Sequence, residues 1–235
     1  MSSNGSFSKT FVGNLSGPNT VGFKQSDIDQ CLQRLKKIYN EIDDNAIYPI
    51  ARIGEDLSRA WACPSAVQAI NKYKTEMMAL LQNVLDNLVS IADHITLAYE
   101  KWCNVTGCQF HYPGDCLEWF GNLKQKFNYE PYENINGVMG VDADQAKLYV
   151  DYLSKNYAER LYNGLDNVVK IINECGFIGL NQQQSLSQSV MAIKLSVSTK
   201  IGIYVLDFVK LIEKTVSEYR DTAGSIEQMF WNLQG

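Results

Sequence analysis

The sequence predicts an all-α fold, an elongated four-helix bundle made of two helix-turn-helix hairpins, and three observations predict it. Apolar residues recur every seven positions along two separate stretches of the chain. Each stretch is interrupted by a short corner, Trp61-Ala62-Cys63 in the first and the Gly- and Gln-rich Cys175 to Gln184 in the second. Between the stretches, Cys103 to Gly140 breaks the pattern with Gly, Pro, Asn and many aromatic residues. Spacing of seven sustained over several turns indicates nearly parallel helix packing. The chain therefore divides into an N-terminal arm (1–23), a first helical hairpin (24–103), a connector (104–140) and a second, more degenerate hairpin (141–235).

The arm, rich in Ser, Gly and Asn, lacks the apolar core of a secretory signal and reads as flexible. Helix 1 should begin near Ser26, which can cap it, with Asp27 and Asp29 complementing the amide end of the first turn. Ile28, Leu35 and Ile42 recur at sevens beside Leu32 and Tyr39; after a phase shift the stripe resumes through Ala46, Ile53 and Ala60, with Ile50 and Leu57 alongside. Pro49 removes a backbone hydrogen bond inside this stretch, so a kink or break is expected near Asn45 to Pro49. Pro64 suits the first turn of helix 2, where Ile70, Met77, Val84, Ile91 and Ala98 form one ladder and Leu81, Leu88, Ile95 and Trp102 the next.

Within the connector, Asp115 to Phe127 can form a short amphipathic helix. Helix 3 is expected from about Asp142 to Glu174, with Leu161, Val168 and Cys175 on one ladder, Ala158, Leu165 and Ile172 on the next, and Gly164 weakening it modestly. Helix 4 should follow Gln184, aligning Val190, Val197, Tyr204 and Leu211 with Ile201, Phe208, Thr215, Thr222 and Met229, and fraying near Gly224.

The 235 residues, 46% hydrophobic and 20% charged, are enough to bury a core without staples. A formal net charge of -5 and a pI near 5.1 argue against nucleic acid or an anionic membrane as a partner. The longest apolar run, Ile201 to Val209, is interrupted by Asp207 and falls far short of the roughly 20 residues of a membrane span. His94 and His111 are the only histidines, and none of the common hydrolase, zinc-protease or phosphate-loop motifs occurs. No catalytic residue and no cofactor is assigned.

His94, between core positions Ile91 and Ile95, reads as a solvated face residue. Cys103, Cys108, His111 and Cys116 are the right ligand types for tetrahedral zinc, but their C-x4-C-x2-H-x4-C spacing is not the common pattern. Reduced thiols without a role are the default, with a metal site or a disulfide as alternatives. Cys31 and Cys63 lie too far apart along one helix to bridge.

Trp61-Ala62-Cys63, set between two helices of about 35 residues, resembles the corner of the WXG superfamily, the early-secreted-antigen family of small helical hairpins exported by type VII secretion in Gram-positive bacteria and mycobacteria. The resemblance covers about Gln25 to Trp102, with Cys63 where Gly is usual. Phe177-Ile178-Gly179 offers a second aromatic-x-Gly corner, and Glu218-Tyr219-Arg220 occupies nearly the same late position as Ala98-Tyr99-Glu100. Members of this family usually pair as antiparallel four-helix dimers, so the chain looks like such a dimer made in one polypeptide. The connector fits: helices of about 50 Å in antiparallel hairpins require the chain to return from the Cys103 end to the Trp61 end before helix 3, and extended chain covers that distance at about 3.3 Å per residue.

The resemblance implies a non-enzymatic type VII secretion substrate, or a partner that escorts a larger secreted toxin by helix-in-groove contacts. It implies a protein cytoplasmic before export and then secreted without a signal peptide. Trp61 is either an apolar plug or, with Ala62, Cys63, Phe177, Ile178 and Gly179, part of a partner-binding patch. The family's Y-x-x-x-D/E signal is absent at Tyr99 and Tyr219, where the fifth residues are Cys103 and Ala223; Tyr129 to Glu133 fits it, as do Tyr39 to Asp43 and Tyr162 to Asp166 by chance. A fused pair is expected to be a monomer acting as a pseudo-dimer. The alternatives are a cytosolic structural or adaptor bundle and, more remotely, a metal-stabilised binding module.

Overall fold

A computed structural model describes residues 20–110, 131–133 and 137–232, and these form a four-helix bundle. The first long helix comprises α1 (Gln25–Ile42), a π-helical turn (Asp43–Ile47) and α2 (Tyr48–Ala60). All the ladder residues expected on it, from Ile28 through Ala60, are buried. The phase shift in the sequence after Ile42 is the π-turn, one extra residue that rotates the following stripe back onto the core. Its cause is Pro49. The carbonyl of Asn45 would accept from the N–H of residue 49 in an α-helix, and proline has none. Arg160 Nη1, from the second hairpin, donates to that carbonyl instead at 3.1 Å. The start of α1 differs from expectation: Lys24 holds the cap position without a side-chain bond, and Ser26 Oγ donates to Asp27 instead.

The chain turns through β2 (Trp61–Ala62) into α3 (Pro64–Thr106), a single helix of 43 residues. Both its ladders face the core; Ala98 and Trp102 lie half-buried at its end. Gly107, with φ 68°, terminates it.

The second hairpin begins with β3 (Gly140–Val141) and comprises α4 (Ala143–Lys155), a π-turn (Asn156–Tyr162), α5 (Asn163–Asn173), β4 (Phe177–Ile178), α6 (Leu180–Ser196), a third π-turn (Val197–Gly202) and α7 (Ile203–Asn232). Asp142 caps α4 by accepting from the N–H of Gln145 at 3.0 Å. The fourth helix begins at Leu180, inside the expected corner, and runs through Gly224 without a break. Ala158 is exposed because the π-turn around it shifts the register, and Gly164 is a close-packing position whose missing Cβ leaves room for Ile42. Beyond the third π-turn the buried set moves to Val205, Phe208 and Ile212, so Leu211 is exposed.

Two small antiparallel ladders fix the relation between the hairpins. Trp61 and Ala62 at the first corner pair with Val141 and Gly140, the residues leading into the third helix. Phe177 and Ile178 at the second corner pair with Phe23 and Gly22, which lead into the first and form β1 (Gly22–Phe23). Each corner is thus closed by the lead strand of the other hairpin, the two corners lie at opposite ends, and the hairpins are antiparallel. Residues 20–23 consequently belong to the folded unit rather than to the expected arm; residues 1–19 lie outside the described residues. The first and third helices pack along their length, with α1 against α5 and α2 against α4, and the second and fourth meet through α3 and α6.

Candidate functional site

The two corners are the residues the sequence singles out, and both aromatic side chains point inward. Trp61 is 2% exposed and Phe177 5%. Each is the plug of its corner; Ala62, Ile178 and Gly179 are half-buried around them.

Cys63 and Gly179 follow these plugs and differ for a backbone reason. Cys63 has φ -171° and ψ 167°, an extended conformation open to any residue, and its Sγ accepts from the N–H of Ala66 at 3.3 Å, capping α3. Ser65 Oγ lies 3.0 Å from the same sulfur, and Tyr219 of α7 reaches it from the second hairpin. Burial opposes ionisation of this thiol, but the hydrogen bonds from Ser65, Ala66 and Tyr219 outweigh it and hold Cys63 below the usual thiol range. Gly179 has φ 127°, which L side chains rarely adopt, and α6 starts without a side-chain cap. A side chain that caps the helix stands at one corner and a glycine that makes the turn at the other.

Tyr99 and Tyr219 are equivalent positions in the two hairpins. Tyr99 packs edge-on against Phe23 at a ring separation of 5.6 Å and against Phe110 at 5.1 Å, beneath the second corner. Tyr219 reaches Cys63 at the first corner, and its neighbour Arg220 approaches Asp144 of α4 at 3.6 Å.

The connector is anchored at both ends. Phe110 rests on Tyr99 near the second corner, whereas Asn71 of α3 bonds the backbone of Tyr132 twice, at 2.9 and 2.7 Å, and the Tyr132 hydroxyl donates to the Trp61 carbonyl at 3.4 Å. These two anchors lie at opposite ends of the bundle, as the antiparallel arrangement requires. Asp115 to Phe127 and Tyr129 lie outside the described residues, and Glu133 is exposed.

Of the candidate zinc ligands, His111 and Cys116 also lie outside the described residues. Cys103 is buried at the end of α3 and Cys108 half-buried just past Gly107. Their thiols interact directly: burial and the Cys108 thiol push Cys103 up to about 11, whereas hydrogen bonds from Cys103 and Thr106 hold Cys108 below its ordinary value. No group of three or more His, Cys, Asp or Glu with metal-binding geometry occurs among the described residues.

Surface features that spacing alone did not identify lie between the second and fourth helices and at the end of α7. Towards the second corner, α3 and α6 separate into a groove of about 610 Å³, with Ile91, His94, Leu186 and Ile193 among its walls. It adjoins an apolar hollow of about 700 Å³ beside Trp102, Val105 and Phe177. His94 is exposed, as its position predicts, with Nδ1 2.6 Å from the Ser90 carbonyl. Beyond Arg220, α7 is exposed along its remaining described length and projects past the first corner by about 18 Å, at 1.5 Å per residue. Phe230 and Trp231 are 62% and 72% exposed there, with Ile226 and Met229 beside them. The signal for this was present as Met229-Phe230-Trp231, but the period of seven assigned Met229 to the core.

No family model matches the chain, and neither a curated protein nor a solved structure matches it. No helix among the described residues is long and apolar enough to cross a membrane.

Proposed function

We propose that this chain is a non-enzymatic type VII secretion protein, a substrate or an escort for a larger secreted toxin, built as a WXG-like pair of hairpins fused into one polypeptide. The observation that carries the reading is the reciprocal closure of the corners, in which each hairpin's aromatic corner is completed by the strand that leads into the other. Two hairpins related in this way bury against each other the faces that a lone hairpin would offer to a partner. The pair then behaves as a monomer in solution. A partner helix docks on the apolar surface exposed at the projecting end of α7, with Phe230 and Trp231.

Export is the decisive experiment. In cells with an active type VII system, the chain is expected in the medium, and deletion of the secretion ATPase is expected to retain it inside. Equal amounts outside with and without the ATPase, or retention in both strains, would overturn the reading in favour of a cytosolic adaptor bundle.

A further inference from the structure

Cys31, on α1, and Cys175, in the turn before the second corner, belong to different hairpins and are both free thiols buried at the same contact. Each neighbour of Cys175 is fixed to residues on either side of Cys31, on α1 or at its cap. Glu174 forms an ion pair with Arg34, one turn further along α1. The Gly176 carbonyl accepts from the N–H of Lys24 at 2.8 Å, and a Cβ at Gly176 would fall 2.6 Å from that of Asp27. Cys31 Sγ itself lies 3.8 Å from the Ile171 carbonyl, one turn before Cys175. Both thiols are buried inside this frame and near enough to interact: Cys31 is held far above the ordinary thiol range, by the Cys175 thiol first and burial second.

We propose that Cys31 and Cys175 form a cystine that covalently ties the second corner to the first helix, by exchange with a low-molecular-weight disulfide of the glutathione class. The Cys31 thiolate attacks one sulfur of the external disulfide and releases the other as a thiolate, leaving a mixed disulfide. Cys175 then loses its proton and attacks the Cys31 sulfur, forming the protein S–S bond and expelling the second external thiolate. Two protein thiols are oxidised, one external disulfide is reduced, and the two protons that the protein thiols lose are taken up, through solvent, by the two expelled thiolates. In the folded protein both sulfurs are shielded, so the bond forms while the hairpins are docking. Docking aligns the pair; burial then protects the product. The cystine is independent of export.

The test is to refold the full-length chain from denaturant in a buffer of reduced and oxidised glutathione, alkylate remaining thiols, and map peptides by mass spectrometry without reduction. The expected result is a peptide pair joined through Cys31 and Cys175. A thermal midpoint higher by roughly 10 °C, lost when the same sample is reduced, should accompany it, because a long loop is closed. Cys31→Ser and Cys175→Ser each abolish the linked pair; if either fails to fold, reduction of the unsubstituted protein supplies the control. Recovery of Cys31 and Cys175 as free thiols, a cystine confined to Cys103 and Cys108, or a linked pair without the rise in midpoint would overturn the proposal.

Discussion

Cys63 and Gly179 occupy equivalent positions at the two corners, and substituting them should expose different costs. Cys63→Ala removes a helix cap and is expected to lose about 1 kcal/mol, whereas Cys63→Ser keeps an acceptor for the Ala66 N–H and should lose less. Gly179→Ala forces a side chain into φ 127° and towards the Val21 side chain, at an expected cost of about 1–3 kcal/mol. Urea denaturation measures all three, and a smaller loss for Gly179→Ala than for Cys63→Ala would contradict the assignment. The two thiols at the end of α3 should also separate by reactivity, since the thiolate is the nucleophile. At neutral pH iodoacetamide is expected to modify Cys108 well before Cys103, and Cys103 should react appreciably only as pH approaches 11. Equal rates for both, followed by peptide mapping, would count against the thiol–thiol hydrogen bond.

Within the helices, the π-turns decide which residues reach the core. Those at Asp43–Ile47 and Asn156–Tyr162 touch across the hairpin interface, where Arg160 satisfies the carbonyl that Pro49 leaves without its α-helical donor. Arg160→Ala should therefore lose about 0.5–1 kcal/mol, because the bond lies at the surface where water competes. In a Pro49→Ala background, with an N–H available at residue 49, the same substitution should cost less. A double-mutant cycle returning no coupling would refute the compensation. These turns also explain where a period of seven served well and where it did not. On the first helix the phase shift after Ile42 was visible as a break between two clean stripes, so every ladder residue was assigned correctly. On the third and fourth helices a period of seven runs straight through the π-turns, and the extra residue turns Ala158 and Leu211, which it assigns to the core side, out to solvent.

For the whole molecule, the projecting end of α7 separates stability from interaction. Phe230→Ser and Trp231→Ser remove exposed side chains and should leave the unfolding free energy within about 0.5 kcal/mol of that of the unsubstituted protein. Truncating the buried Trp61 plug to Ala should cost about 3–5 kcal/mol. If the serine substitutions destabilise the fold as much as Trp61→Ala does, the end of α7 is part of the core rather than a surface for a partner. The sequence by itself determined the class, the number of hairpins, the corners and most of the buried faces, because helical periodicity and Pro, Gly and Trp punctuation are local properties of the chain. It also supported opposite directions for the hairpins, through the length of the connector. Only the tertiary structure decided that residues 22–23 and 140–141 close the opposite corners, that Cys31 meets Cys175, and that α7 runs on past the bundle. Those facts depend on which segments lie side by side after folding, and a pattern of spacing along one helix carries no information about the register of another against it.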